Sequence, residues 1–200
     1  MKETKLKNTP KVLGLDVSTT TIGVALFDIK TQELLELTHV SPIAKPKQDN
    51  KIFELIQKSE IFKTKLEEYR NLGITKVIIE EPLLNSNNIY TVQTLLRYNS
   101  FITKQIYDTF GLVPEFISTY NSRKFAFPEL VRENDKGKFV LFGGMPKDID
   151  KKMIIWEKVA KKEPQITWTY TKNNTLKKEN FDMTDAYCCV LGHMKQKKVW

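Results

Sequence analysis

The chain has 200 residues, 40% hydrophobic and 28% charged, the balance of a soluble globular protein with room for one domain and its own core. No run of about 18 apolar residues occurs, which excludes a membrane-spanning helix at the level of sequence. Lys and Arg number 32 against 24 Asp and Glu, a net charge of +8; this fits a polyanion partner such as nucleic acid, and equally a lysine-rich surface that only aids solubility.

Residues 1–10 read as a basic disordered arm. Met1 to Lys11 lacks the apolar segment of a signal peptide, so a cytoplasmic protein is expected. Lys11 to Asp16 (KVLGLD) reads as a short apolar strand, and Val17-Ser18-Thr19-Thr20 as a polar turn. Thr21 to Asp28 and residues 33–41 read as two further strands of an antiparallel meander. After a Pro/Lys/Asn loop at 42–50, Ile52, Leu55, Ile56, Phe62, Leu66 and Tyr69 recur at helical spacing over 51–70, and Gly73 ends the helix. Residues 75–80 (TKVIIE) read as a buried strand. A polar loop at 85–88 leads to a helix marked by Val92, Leu95, Leu96, Ile102 and Ile106, then a strand at roughly 113–118. Residues 120–146 read as irregular, and helices at roughly 147–162 and 180–195 close the chain. The order predicts an α/β domain over 11–200. Its five-stranded mixed sheet has an antiparallel three-strand meander and then two parallel strands, with helices on both faces and an insertion at about 125–146.

Carboxylates at strand ends carry the chemical information. Asp16 ends one apolar strand and Glu80 another, and a charge there is costly to desolvate unless something compensates it. Asp182 and Asp185 stand three apart on the last helix, so they share a face and repel, although a helix N-terminus softens that cost. A hard divalent cation, Mg²⁺ or Mn²⁺, would reverse both penalties. Two ions about 3.5–4 Å apart would suit phosphodiester cleavage. Singly, each feature has a plainer reading, a turn cap or a favourable first turn; their joint order is what argues for a site. Glu81 competes with Glu80, which the strand end favours. Asp148 and Asp150 read as helix-start acids and His193 as a packed residue. Cys188 and Cys189 are neighbours, no CxxC pair exists, and His39 and His193 lie far apart; two core cysteines are expected and no structural zinc site.

Gly14-Leu15-Asp16, Ile78-Ile79-Glu80 and Asp182-Met183-Thr184-Asp185-Ala186 together resemble the RuvC family of Holliday-junction resolvases, over roughly residues 11–195. The resemblance implies an RNase H-like fold, a homodimer, two Mg²⁺ ions per active site, and paired nicks across four-way or otherwise branched DNA. It implies Asp16, Glu80, Asp182 and Asp185 as metal-holding catalytic residues, with Mn²⁺ able to substitute. It places Leu83 where the family inserts an apolar residue at the junction centre. Lys124 and Lys151 match lysines near the family's active site, and Lys136 and Lys138 at the tip of the insertion are further candidate DNA contacts. The chain departs from the pattern at Val17-Ser18, where Pro-Gly is common, and in its long 125–146 stretch, which reads as a hairpin insertion with Lys136, Lys138 and Phe139 near its tip. A compact, lysine-rich, insertion-bearing variant is compatible with a phage or viral origin, and then with the host cytoplasm.

Three other readings compete. LGLDVSTTTIGVALFD also resembles the phosphate-binding hairpin of sugar kinases and other actin-like ATPases, which need a second domain and a glycine-rich adenosine site; 200 residues and 8 glycines leave little room. The same segment fits a YqgF-type enzyme acting on RNA, against which the helix-bearing insert and the Asp182/Asp185 pair argue. A non-catalytic junction binder would have no need of four candidate ligands.

Overall fold

The computed structural model describes residues 9–47, 49–82, 88–146 and 148–200. Strands β1 (Lys11–Val17), β2 (Ile22–Asp28) and β3 (Leu34–Val40) open the chain, each antiparallel to the one before. Strand β4 (Ile74–Glu80) lies parallel to β1, and β5 (Glu115–Ile117) parallel to β4, so the order is β3-β2-β1-β4-β5. This is the mixed sheet that the element order predicts. Parallel neighbours need crossovers, which helices α1 (Lys51–Tyr69) and α2 (Ile89–Phe110) supply. Asn50 and Asn88 cap them, each side chain accepting from two backbone N–H groups of the first turn.

Alternation along the strands divides the core in two. Leu13, Leu15, Val77 and Ile79 face α1 and α2, meeting Leu55, Phe62, Leu66, Ile102 and Ile106. Tyr98 joins that stripe instead of Leu96, which is 41% exposed; two residues apart, the pair point to opposite sides of the helix. Val12, Ala25, Phe27 and Ile78 face the other way, onto α5 (Glu179–Gln196), beside which α4 (Lys151–Lys162) packs. Helix α5 is buried nearly all round, from Met183 to Met194 without a break, and Cys188 and Cys189 are buried free thiols within it. Beyond it, Trp200 packs against Phe27 with the rings tilted by 53° and donates its indole N–H to the carbonyl of Ile29.

Two regions differ from the sequence reading. Thr9 and Pro10 are not part of a loose arm: Pro10 accepts the N–H of Ile29, and the Thr9 hydroxyl donates to Asp28. Residues 1–8 of that arm lie outside the described residues. The stretch 120–146 is ordered where the sequence reads as irregular, although the 125–146 part, read as a hairpin insertion, does contain a hairpin. Helix α3 (Thr119–Ala126) is followed by a 3₁₀ turn at Pro128–Leu130 and a hairpin of β6 (Val131–Glu133) and β7 (Phe139–Leu141). Its sequence, TYNSRKFA, has no apolar period. Ser118 caps its first turn, and its buried Ser122 and Ala126 lie against α5. No helix among the described residues is long and apolar enough to cross a membrane.

Candidate active site

Strands β1 and β4 run parallel as neighbours with Leu15 opposite Ile79, so Asp16, the last residue but one of β1, and Glu80, the last of β4, stand side by side at the same end of the sheet. Both share the parity of Val12 and Ile78 and point to the α5 side of the sheet. Helix α5 crosses this face with almost no gap. A Cβ placed on Gly23, which pairs with Asp16, would sit 2.0 Å from the carbonyl oxygen of Asp182; one on Gly14 would sit 2.5 Å from that of Ala186. Two positions without side chains thus let the backbone of α5 touch the sheet where Asp182 and Asp185 must meet Asp16.

The result is a cleft of about 310 Å³ lined by all four carboxylates. Ser18, Thr119, Arg123 and Lys152 share it, and Glu81 stands on its exposed rim. Ser18 also shapes the β1–β2 turn, its hydroxyl accepting from the N–H of Thr21 and donating to the Thr21 carbonyl. Thr119 donates to Oε1 of Glu80 at 2.6 Å, whereas Oε2 of Glu80 is buried with no hydrogen-bond partner. Arg123 forks onto Asp185: Nη2 donates to Oδ1 at 2.8 Å and Oδ2 at 3.0 Å, and Nε to Oδ1 at 3.1 Å. Asp185 is 4% exposed, so this is a buried ion pair.

Burial and mutual repulsion hold protons on the cleft. Asp16 is pushed well above the usual carboxylate range by burial first and then by the charges of Glu80, Asp185 and Asp182. Burial, then Asp185, raises Glu80 to about 7. Burial raises Asp182 to about 6, although Lys152 pulls the other way. The Arg123 guanidinium keeps its charge despite burial, because Asp185 outweighs the desolvation.

The donor set fits a hard divalent cation. It is all oxygen, it includes a buried carboxylate oxygen with nothing to bind, and its acids are under electrostatic pressure that a cation would relieve. As placed, no three His, Cys, Asp or Glu groups among the described residues close on a single point, and Arg123 already covers both oxygens of Asp185.

The other sequence candidates fall elsewhere. Leu83 lies outside the described residues. Lys124 extends over the rings of Tyr120 and Phe125, and Lys151 over Phe142. Each is displaced by one residue from the basic side chain that does line the cleft, Arg123 and Lys152 respectively. Lys136 and Lys138 are exposed at the turn of the β6–β7 hairpin, where Asn134 accepts both of their backbone N–H groups. Thr119, Arg123 and Lys152 are absent from the sequence reading. Helical phase is the signal for two of them: from a Ser118 cap, Thr119 and Arg123 are four apart on one face.

No family model and no curated protein sequence matches the chain. Solved structures do. Thermus thermophilus RuvC in complex with Holliday junction substrate superposes with a TM-score of 0.61, covering 94% of this chain and 94% of that one at 11% identity. A second T. thermophilus RuvC structure gives a TM-score of 0.56, covering 94% of this chain and 95% of that one at 14% identity. The fold is that of RuvC. The likeness runs through nearly the whole length of both chains, so the RuvC architecture takes in the sheet, both helical layers and α5. At such identities it speaks for architecture, and the chemistry of the cleft rests on the geometry above.

Proposed function

We propose that this chain is a metal-dependent endonuclease that nicks four-way or otherwise branched DNA, acting as a homodimer. The observation that carries the reading is the convergence of Asp16, Glu80, Asp182 and Asp185, from two strand ends and one helix, on one cleft of a RuvC fold. The similar T. thermophilus structure is a complex with Holliday junction substrate, which supports the substrate class. Asp16 and Glu80, with Asp182 and Asp185, are the residues that would hold Mg²⁺, or Mn²⁺ in its place; the ions would supply activation of water and charge neutralisation at the phosphodiester.

The chain's own side chains have separate tasks. Thr119 holds Glu80 through Oε1 and leaves the buried Oε2 without a partner. Lys152, exposed at the rim, supplies positive charge for the phosphate. A second depression of about 410 Å³ shares Ser18 and Leu95 with the cleft and adds Lys51, Thr91 and Thr94, a cation and hydroxyls suited to a sugar–phosphate strand leaving the site. Ile89, Tyr90 and Leu96 are 61%, 76% and 41% exposed at the start of α2, apolar surface suited to a second copy of the chain.

The test is nicking of a synthetic four-way junction, a linear duplex and an RNA–DNA hybrid, each with Mg²⁺ and with EDTA. Mg²⁺-dependent nicking that favours the junction is expected. Preference for the hybrid would turn the assignment towards RNA, and binding without nicking would leave a non-catalytic junction binder.

A further inference from the structure

We propose that Arg123 is the resident counter-charge of the acidic cleft and competes with a divalent cation for Asp185, so that one ion enters readily and a second only as Arg123 withdraws. The inference rests on the metal-dependent reading above and adds an order of loading to it. The two ends of the cleft are unlike. At the strand end, Oε1 of Glu80 takes the Thr119 hydroxyl, and its buried Oε2 has no partner. At the helix end, three N–H···O contacts from one guanidinium cover both oxygens of Asp185. A cation arriving at the strand end meets an unengaged lone pair, whereas one arriving at Asp185 meets a positive charge already seated there.

The fork is held by the fold. Arg123 lies one turn beyond Thr119 on α3, and α3 is pressed onto α5 where Gly192 has no side chain; a Cβ there would stand 2.3 Å from the carbonyl oxygen of Ser122. The Arg123 side chain is only 12% exposed, so water does not share its charge to any extent. Lys152, which also lines the cleft, is exposed and holds its ammonium near the ring of Phe181, and it makes no ion pair with Asp185. Nor can pH release Arg123, because a guanidinium does not lose its proton in a protein. Displacement takes either a competing cation on Asp185 or an anion that offers Arg123 another bidentate partner, and a phosphodiester, through its two non-bridging oxygens, is such an anion. Arg123 is thus a positioning residue that couples completion of the metal site to the arrival of a nucleic-acid backbone. By linkage, whatever the ion costs the fork, the fork costs the ion.

The experiment is a Mn²⁺ titration of the whole chain without DNA, followed by calorimetry and by the paramagnetic resonance of unbound Mn²⁺. It compares wild type, R123M and the double variant R123M/D185N. In wild type the second ion should bind at least about tenfold more weakly than in R123M, within the ordinary range of such coupling. R123M should melt below wild type in EDTA and gain more on addition of Mn²⁺. The double variant, which leaves no orphaned charge, should bind one ion as wild type does. Should R123M fail to fold even with Mn²⁺, R123Q removes the charge while keeping an amide donor and serves for the same comparison. Equal affinity for the second ion with and without the Arg123 charge overturns the proposal. Failure of every form to bind even one ion overturns the metal-dependent reading instead.

Discussion

Asp182 and Asp185 are three residues apart on one helix, yet the fold gives them opposite energetics. Asp182 has no ion pair among the described residues, and burial raises it to about 6 against the pull of Lys152. Asp182→Asn should therefore raise the melting temperature of the metal-free protein at neutral pH, by removing a charge the fold disfavours. Asp185 is neutralised by the buried Arg123 fork, and Asp185→Asn should instead cost about 3 kcal/mol in a denaturant titration, the low end for breaking a buried pair. Both substitutions should lower junction cleavage by orders of magnitude while a gel-shift assay shows binding retained, because affinity comes chiefly from Lys and Arg on phosphates. A nicking rate near wild type for either would remove that residue from the site. The pH dependence has a definite sign. Glu80 and Asp182 hold their protons to about 7 and about 6 in the folded chain, above their ordinary 4.5 and 3.8. The unfolded chain releases those protons first, so their stabilising effect is full below pH 3.8 and is lost as pH rises to about 7. Thermal melts in EDTA should show that decline, and a large excess of Mg²⁺ should flatten it. Cleavage should run the other way, rising with pH over the same interval, with a midpoint that moves down as Mg²⁺ is raised.

Among the elements, the pairing of α5 with β1 and β2 decides whether a site exists. Gly23→Ala asks for a methyl 2.0 Å from the carbonyl oxygen of Asp182, backbone against backbone, with no flexible side chain to give way. It should cost about 1–3 kcal/mol, as overpacking does, and should reduce cleavage more than a surface variant of equal instability, because α5 must lift where it carries Asp182. Comparing rate with melting temperature across both variants separates these effects. This contact also shows what could be read in the sequence. Strands β1 to β4 and helices α1 and α2 announce themselves by alternation, by helical period and by their caps, and Asp16 and Glu80 stand out as charges at the ends of apolar runs. Helix α3 does not, because its pattern is set by what it lies against: Ser122 and Ala126 are small where α5 is close, and nothing in TYNSRKFA shows that α5 is there. With α3 unread, nothing in the sequence separates Arg123, which the helix turns towards the cleft, from its neighbour Lys124, and on α4 Lys152 lines the cleft beside Lys151. A shift of one position is about 100° on a helix, enough to exchange a residue in the cleft for one on the surface.

At the scale of the whole molecule, a four-way junction presents two equivalent strands to be cut, which two sites related by a twofold axis meet most simply. Sedimentation should give a dimer at assay concentrations, and substituting Tyr90 and Leu96 by charged residues should shift it towards monomer. A strict monomer, free and with junction DNA, that nicks linear duplex as readily as a junction would refute the resolvase reading. Leu83→Ala should slow cleavage of the junction while sparing Mn²⁺ binding. The placement of α5 has one more consequence, in time. Asp16 is made 169 positions before Asp185, yet the proposed site needs both. At about 5–20 residues per second, a ribosome needs roughly 10–30 s to pass from one codon to the other. Throughout that interval the nascent chain carries only half of the proposed site, and helix α5, which completes it, has still to be translated.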